Sequence, residues 1–222
     1  MNKLFTQFFS NHHDSQWSIY ALGLTTIYSK LLRQIRRPPF PTSENEEVNL
    51  HLGCGLVNHP KFINIDARPA PHIHYIRAID NLAPFQDNSV NLVYASHCLE
   101  HFSHLKIPTV LAEWFRVLKK DGTLRLSVPD LDLLLDIYTE NGNDINTILL
   151  ALMGEQDYNF NFHRTVFNLS SLELLLKNTG FRQIQKWQPR SGELSTFDDW
   201  SNRKLLIKGK SYPVSLNIQA VK

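Results

Sequence analysis

The sequence predicts an α/β fold in which a mostly parallel sheet of seven strands carries helices on both faces. Apolar runs of strand length alternate with segments of helical periodicity from about residue 48 onward, an order typical of parallel sheets covered by helices. The first run, 49–52, ends directly in Gly53-Cys54-Gly55. Glycines in this place let the backbone turn tightly and approach a ligand closely.

The seven strands are predicted from short apolar runs rich in β-branched and aromatic residues. We expect the last two to form an antiparallel hairpin joined by the long polar segment 189–211, in which Trp200 is either a sugar-stacking ring or a solvated surface residue. The predicted strands lie near 48–52, 62–66, 73–79, 90–96, 123–128, 181–188 and 213–221.

Four helices are predicted between these strands, near 107–120, 131–139, 144–153 and 170–179. The first has Pro108 in its first turn and Gly122 after its end. The last has Ser170 and Glu173 as a capping box and Gly180 as its stop. Both should cover the sheet.

Residues 1–41 form a predicted amphipathic helical extension to a domain of residues 42–222. An apolar stripe from Trp17 to Ile35 recurs at three- and four-residue steps, and five basic residues stand against the single acidic Asp14. The helix, within residues 15–37, either packs on the domain or makes peripheral contact with an anionic membrane surface at the inner membrane face. No stretch reaches the roughly 18 apolar residues of a membrane span.

Bulk composition predicts one cytoplasmic enzyme domain. The 222 residues are 42% hydrophobic and carry a net charge of +2 with both signs scattered, so the chain lacks the basic field that nucleic-acid binding needs. Two cysteines, one of them in the glycine turn, predict free thiols in a reducing compartment.

The residues around the glycine turn separate three classes of ligand. A P-loop needs Lys and Ser or Thr after its last glycine, whereas Leu56-Val57-Asn58 follow Gly55. A dinucleotide fold needs another glycine where Asn58 stands. An adenosine-bearing ligand without a diphosphate remains, and Asp66, at the end of the next apolar run, is placed to bind a ribose diol. S-adenosylmethionine fits this description.

The middle of the chain, about residues 48–130, resembles the class I S-adenosylmethionine-dependent methyltransferases, which have a Rossmann-like sheet. The resemblance is carried by residues 78–85, 87–97, 99–102 and 113–122. It implies S-adenosylmethionine as cofactor. The cofactor contacts it implies are Gly53, Cys54 and Gly55 at the methionyl part, Asp66 at the ribose, Asp80 and Asn81 at the adenine edge, and Ser96 and His97 near the sulfonium.

One departure from the family pattern concerns the first crossover. Most relatives have a third glycine at the position of Val57 and a full helix before the acidic strand end, but only residues 56–61, interrupted by Pro60, lie between here. We therefore expect a tight loop. The chain resembles a compact subgroup often associated with sugar or cell-surface polymer biosynthesis, which implies a small-molecule or saccharide-type acceptor.

Three residues are candidates for a catalytic base, which is needed only if the acceptor loses a proton. His101, Asp130 and His163 are expected near the carboxyl ends of the fourth and fifth strands or on a covering segment. Each has an alternative role: Asp130 as a helix cap, His101 as a brace of the cofactor pocket and His163 as a surface histidine.

Two other functions remain open at this point. The run from His97 to His101 spells the H-x-x-E-H pattern of inverted zinc peptidases, but it follows a predicted strand at the interval expected of a methyltransferase, so no metal ligand is assigned. The missing third glycine also leaves open a protein that binds the cofactor without catalysis.

Overall fold

The computed structural model describes residues 31, 38–41, 46–195 and 197–222. Apart from Leu31, the predicted N-terminal helix lies outside these residues. The helix itself and the domain boundary after residue 41 therefore stay predictions. The same holds for the two roles of the helix, packing on the domain or contact with a membrane surface. Within the described ranges, no helix is long and apolar enough to cross a membrane.

A seven-stranded sheet forms the centre of the molecule in the order β3-β2-β1-β4-β5-β9-β6. β1 to β5 are parallel, and β9 runs antiparallel to both of its neighbours, β5 and β6. This confirms the predicted mostly parallel sheet and its antiparallel final pair. Its strands are β1 (Asn49–Leu52), β2 (Ile63–Asp66), β3 (Tyr75–Ile76), β4 (Val90–Ser96), β5 (Leu118–Pro129), β6 (Arg182–Lys186) and β9 (Ser215–Val221).

From residue 46 onward, the described part of the chain has four α-helices beside the sheet: α1 (Ile107–Val117), α2 (Leu131–Glu140), α3 (Leu149–Met153) and α4 (Leu169–Thr179). Trp114 of α1 and Leu172 of α4 are fully buried in the main apolar core. α1 and α4 therefore bury their apolar stripes against the sheet, as the periodicity predicts.

The predicted helix ends are wrong in two places. α1 stops at Val117, and Gly122 lies inside β5 rather than after a helix, because the chain enters the sheet at Leu118 with a register irregularity against β4. α4 is capped by Asn168 and Ser171, which exchange side-chain and backbone hydrogen bonds, rather than by Ser170 and Glu173. Asn168 is an equally good cap and precedes Ser170, so the helix begins earlier.

The first crossover is a tight loop, as predicted, because none of residues 53–62 is helical. The sheet face left without a helix there is covered from the far end of the chain. Phe197 is 1% exposed and stacks on Tyr94 of β4, with ring centroids 3.8 Å apart and planes 5° apart. Phe62 and Trp187 complete this second apolar cluster. The segment 189–211 therefore substitutes for the missing crossover helix.

That segment also contains secondary structure of its own and is not a simple hairpin loop. It contributes β7 (Lys204–Ile207), which pairs antiparallel with β8 (Lys210–Pro213) in a separate two-stranded sheet. Ile207 and Tyr212 of this sheet pack with Leu134 and Ile137 of α2 in a third apolar cluster. Trp200 is 39% exposed, and its ring centroid lies 6.1 Å from that of His97.

Candidate functional site

The turn after β1 is built around two glycines with left-handed backbone. Gly53 has φ +60° and Gly55 has φ +55°, a region that side chains other than glycine enter at a cost. The N–H of Gly53 donates to the carbonyl of Ile65 at 2.8 Å, which ties the turn to β2. A Cβ atom at Gly55 would meet no atom within 4 Å. Gly55 therefore offers bare backbone to an open space.

Asp66 holds this turn from the end of β2. Its Oδ2 accepts the N–H of Gly55 at 2.8 Å, and its Oδ1 accepts the N–H of Arg68 at 2.8 Å. Asp66 as a whole residue is 9% exposed. A carboxylate oxygen can accept more than one hydrogen bond, so both oxygens keep capacity for hydroxyl donors.

A cavity of about 500 Å³ opens over the carboxyl ends of the parallel strands. This is the position where open α/β sheets bind ligands. Residues from five parts of the chain line it, among them Gly53, Gly55, Asp66, Arg68, Ile79, Asp80, His97, Cys98, His101, Lys106, Tyr158, Asn159, Phe160 and Arg164.

The structure brings five of the eight predicted cofactor-binding residues to this cavity: Gly53, Gly55, Asp66, Asp80 and His97. The other three do not line it. Cys54 is 3% exposed, and burial raises the pKa of its thiol. Asn81 accepts from the Arg77 guanidinium at 2.8 Å and from the Ala83 N–H, which turns its amide away. Ser96 is the last residue of β4, and its hydroxyl oxygen is buried.

Sequence reasoning did not assign several residues that line the cavity. Tyr158 and Phe160 lie on a segment that covers it, and the Arg68 guanidinium stacks on the Tyr158 ring at 4.3 Å. Lys106 forms an ion pair with Asp80 at the opposite rim. The amide- and aromatic-rich run from Asn159 to Arg164 was the one available signal for the covering segment.

The three base candidates lie in different places. His101 lines the cavity. His163 is near it, with ring centroids 4.9 Å from His101, and its Nδ1 lies 3.1 Å from the carbonyl of Ala151. Asp130 caps α2 by accepting the Asp132 N–H and does not line the cavity, so its alternative role as a helix cap is the one observed.

Residues 50–126 match the family model described as a methyltransferase domain. This match covers the glycine turn, Asp66 and the strands that form the cavity floor. This chain therefore carries a methyltransferase domain over residues 50–126. It is an enzyme with S-adenosylmethionine as its cofactor.

Solved structures share the fold of this methyltransferase. The 1,6-didemethyltoxoflavin-N1-methyltransferase of Burkholderia thailandensis, solved with 1,6-didemethyltoxoflavin and S-adenosylhomocysteine, is 16% identical, with a TM-score of 0.50 over 99% of this chain and 87% of that chain. An S-adenosylmethionine-dependent methyltransferase from Archaeoglobus fulgidus is also 16% identical, with a TM-score of 0.49 over 88% of this chain and 93% of that chain. At these identities the likeness concerns the fold alone. No curated protein matches the chain significantly.

Two observations show that the site of the methyltransferase suits its cofactor. The bare backbone at Gly55 leaves room for a ligand where any side chain would enter the cavity, and Asp66 offers accepting oxygens beside it. The cofactor supplies an activated methyl group, and the protein has to hold it and the acceptor in line.

The zinc-peptidase geometry is not formed in the methyltransferase. His97 has φ +50° and precedes a short 3₁₀ helix, Leu99–His101, so His97 and His101 do not stand one turn apart on an α-helix. The hydrolase alternative is therefore not favoured.

Glu100, between these histidines, lies in an unusual environment. It is 1% exposed, and neither carboxyl oxygen has a hydrogen-bond partner. Burial raises the pKa of Glu100 to about 8, and burial lowers the pKa of His97 to about 3. Burial and the neighbouring His101 lower the pKa of His163 to about 4. The cluster is thus neutral when it holds no ligand near pH 7.

Proposed function

We propose that this methyltransferase acts on a small-molecule or saccharide-type acceptor. The observation that carries the proposal is the cavity of about 500 Å³ at the glycine turn, which has to hold both the cofactor and the acceptor. Ligand pockets for small molecules have about 300–1,000 Å³. A net charge of +2 also gives no support for nucleic acid as the acceptor.

The cofactor is proposed to lie along the rim formed by β1, β2 and the chain around Asp80. In this arrangement Gly53 and Gly55 receive the methionyl part and Asp66 binds the ribose hydroxyls. Asp80, oriented by Lys106, lies toward the adenine edge. His97, at the end of β4, faces the region of the sulfonium.

The acceptor is then proposed to occupy the part of the cavity under the covering segment. Tyr158 and Phe160 provide aromatic surface there, while Asn159 and Arg164 provide polar groups. Phe160 is 57% exposed without a ligand. Aromatic surface beside a few polar groups suits an acceptor with both apolar and hydroxyl-bearing faces, such as a sugar ring. This is also the acceptor class implied by the compact-subgroup resemblance.

His101 is the base candidate that the geometry supports best, because among the three candidates only His101 lines this cavity. Its Nδ1 lies 3.2 Å from the carbonyl of Phe162, on the covering segment. The ring is therefore fixed at the acceptor end rather than the cofactor end of the cavity.

Transfer of a labelled methyl group from S-adenosylmethionine to fractionated cell extract tests the proposal. We expect label in low-molecular-weight or saccharide fractions. Label confined to protein or nucleic acid would contradict it.

Phe160→Ala provides a matched test of the acceptor subsite, with Leu174→Ala, a 59% exposed residue of α4, as control. We expect Phe160→Ala to raise the acceptor KM several-fold without changing S-adenosylhomocysteine affinity, while Leu174→Ala changes neither. Equal acceptor KM in the two variants would argue against acceptor binding under the covering segment.

A further inference from the structure

Glu100 is buried without any group that compensates its carboxyl oxygens. It is 1% exposed, and among the described residues neither oxygen receives a hydrogen bond. Buried polar groups are nearly always paired, and an unpaired one in a native structure points to a missing partner. The groups around Glu100 show what kind of partner is missing.

His163 turns a lone pair toward Glu100. Its Nδ1 lies 3.1 Å from the carbonyl of Ala151, and because a carbonyl oxygen can only accept, Nδ1 carries the hydrogen. Its Nε2 is then an unprotonated acceptor, 3.9 Å from Glu100 Oε1. The His163 ring therefore offers Glu100 no hydrogen-bond donor.

The hydrogen bonds of His97 also fix which of its ring nitrogens carries the hydrogen. The hydroxyl of Ser215 donates to the carbonyl of Trp200, so its oxygen accepts from Nε2 of His97 at 2.8 Å. Nδ1 of His97 is then unprotonated, and it lies 3.4 Å from Glu100 Oε1. A second lone pair thus approaches the same carboxyl group.

His101 adds a third imidazole on the cavity side. Its Nδ1 lies 3.2 Å from the carbonyl of Phe162, and its ring faces that of His163 at 4.9 Å. One ligand atom each from Glu100, His101 and His163 lies within 4.8 Å of the others. Because no donor from these rings reaches Glu100, either a proton on its carboxyl group or a cation has to bridge them, and the closeness of three ligand atoms favours a cation.

We propose that Glu100, His101 and His163 bind a divalent first-row transition-metal ion, with Zn²⁺ as the best fit. Two imidazoles and one carboxylate are a ligand set of catalytic zinc sites, which keep a further position open. The 3.9 Å between His163 Nε2 and Glu100 Oε1 is compatible with both atoms lying about 2.0–2.2 Å from a shared ion. Backbone carbonyls on the opposite ring nitrogens are the usual second-shell partners of zinc-bound histidines.

The ion would lie at the wall of the cavity, because His101 lines it. Its open position then faces the proposed acceptor subsite, where it would hold an acceptor oxygen or nitrogen and lower the pKa of a bound hydroxyl. This role rests on the proposed function, whereas ion binding itself does not. The site also differs from the peptidase pattern, since its third ligand comes from the covering segment and not from His97.

Titration of the untagged full-length protein with ZnSO₄ tests the site. The protein is first treated with a chelator, and heat and bound metal are measured without cofactor. We expect one tight Zn²⁺ per chain, and at least a tenfold loss of affinity in Glu100→Gln and in His163→Ala. His104→Ala, which alters an exposed histidine nearby, should bind Zn²⁺ as the unaltered protein does.

The results separate this proposal from the proposed function. Each variant is also titrated with S-adenosylhomocysteine, which reports folding of the cofactor site. Absence of a saturable site in the unaltered protein, or equal Zn²⁺ affinity in Glu100→Gln, His163→Ala and His104→Ala, would overturn the metal site. Zn²⁺ binding without transfer to any small acceptor would leave the metal site standing and contradict the proposed function.

Discussion

The carboxylate of Asp66 accepts a hydrogen bond from the backbone N–H of Gly55, with Oδ2 2.8 Å from the nitrogen. This contact joins the ends of two adjacent parallel strands at a glycine whose backbone faces open space. The same carboxylate therefore sets the shape of the turn and faces the ligand cavity. A change at Asp66 should affect cofactor binding through both roles.

Asp66→Ala is expected to weaken S-adenosylhomocysteine binding by at least tenfold in calorimetry. Hydrogen bonds to a charged group contribute about 1.5–3 kcal/mol each, and the variant removes the ribose contact together with the support of Gly55. Asp136→Ala, on the exposed side of α2, is the matched control and should bind normally. Equal S-adenosylhomocysteine affinities in Asp66→Ala and Asp136→Ala would show that Asp66 does not contribute to the cofactor site.

Gly53→Ala is expected to destabilise the fold by roughly 1–3 kcal/mol in urea unfolding. An alanine there would enter a left-handed conformation, and its Cβ would overlap with the Cys98 sulfur. Cys98→Ala removes that sulfur and leaves ordinary contacts with the Cβ of residue 98 at 3.4 Å and with Ile79 Cδ1 at 3.9 Å. The double variant should therefore lose less stability than the two single losses combined, and strict additivity would contradict the close packing of these residues.

Tyr94→Phe is expected to loosen the segment that replaces the crossover helix. The Tyr94 hydroxyl donates to Asp199 Oδ2 at 2.7 Å, and burial together with the Asp199 carboxylate raises the pKa of that hydroxyl. Loss of this bond should cost about 1–2 kcal/mol of unfolding free energy. A double-mutant cycle with Asp199→Ala checks the pairing, and a coupling energy of zero would show that the bond does not stabilise the segment.

His51→Phe is expected to reduce the sensitivity of the fold to acid. His51 is 2% exposed among aromatic rings, and burial, with His59 and His72 nearby, lowers its pKa from 6.5 to about 3. Below pH 6.5 His51 is protonated in the unfolded chain, whereas in the folded chain it stays neutral down to about pH 3. The free energy of unfolding therefore decreases as the pH is lowered from 6.5 to about 3. Each such group contributes a slope of up to about 1.4 kcal/mol per pH unit.

Unfolding free energies of the two proteins, measured from pH 7 down to about pH 5, test this expectation. The contributions of other buried histidines are common to both proteins and cancel in the comparison. The phenylalanine variant should show the shallower slope. Identical slopes of unfolding free energy against pH in the two proteins would mean that His51 takes up its proton as readily in the folded state as in the unfolded state.

The glycine turn and Asp66 were predictable because their signals are local. An apolar run ending in two glycines, followed by a second run ending in an acid, needs no knowledge of distant contacts. The order of the strands in the sheet leaves no such local signal, because it depends on pairings between distant residues. The short crossover, by contrast, was predictable, because only residues 56–61, interrupted by Pro60, separate the glycine turn from the next strand.

The covering segment and the long segment 189–211 were less predictable because their positions depend on distant partners. Tyr158 and Phe160 reach the cavity because the chain after them is tied to Glu100, whose carbonyl accepts the Arg164 N–H at 2.7 Å. Phe197 lies in a polar run with no periodicity, and its ring contacts with Tyr94, Phe62 and His51 give it a place in the core. None of these contacts leaves a local pattern in the sequence.

Calorimetric titration of the purified, full-length protein with S-adenosylhomocysteine tests the central claim most directly. A cofactor site at Gly53, Gly55 and Asp66 predicts saturable binding of one molecule per chain, with a matching rise in melting temperature. A titration without heat, together with an unchanged melting temperature at saturating ligand, would contradict it.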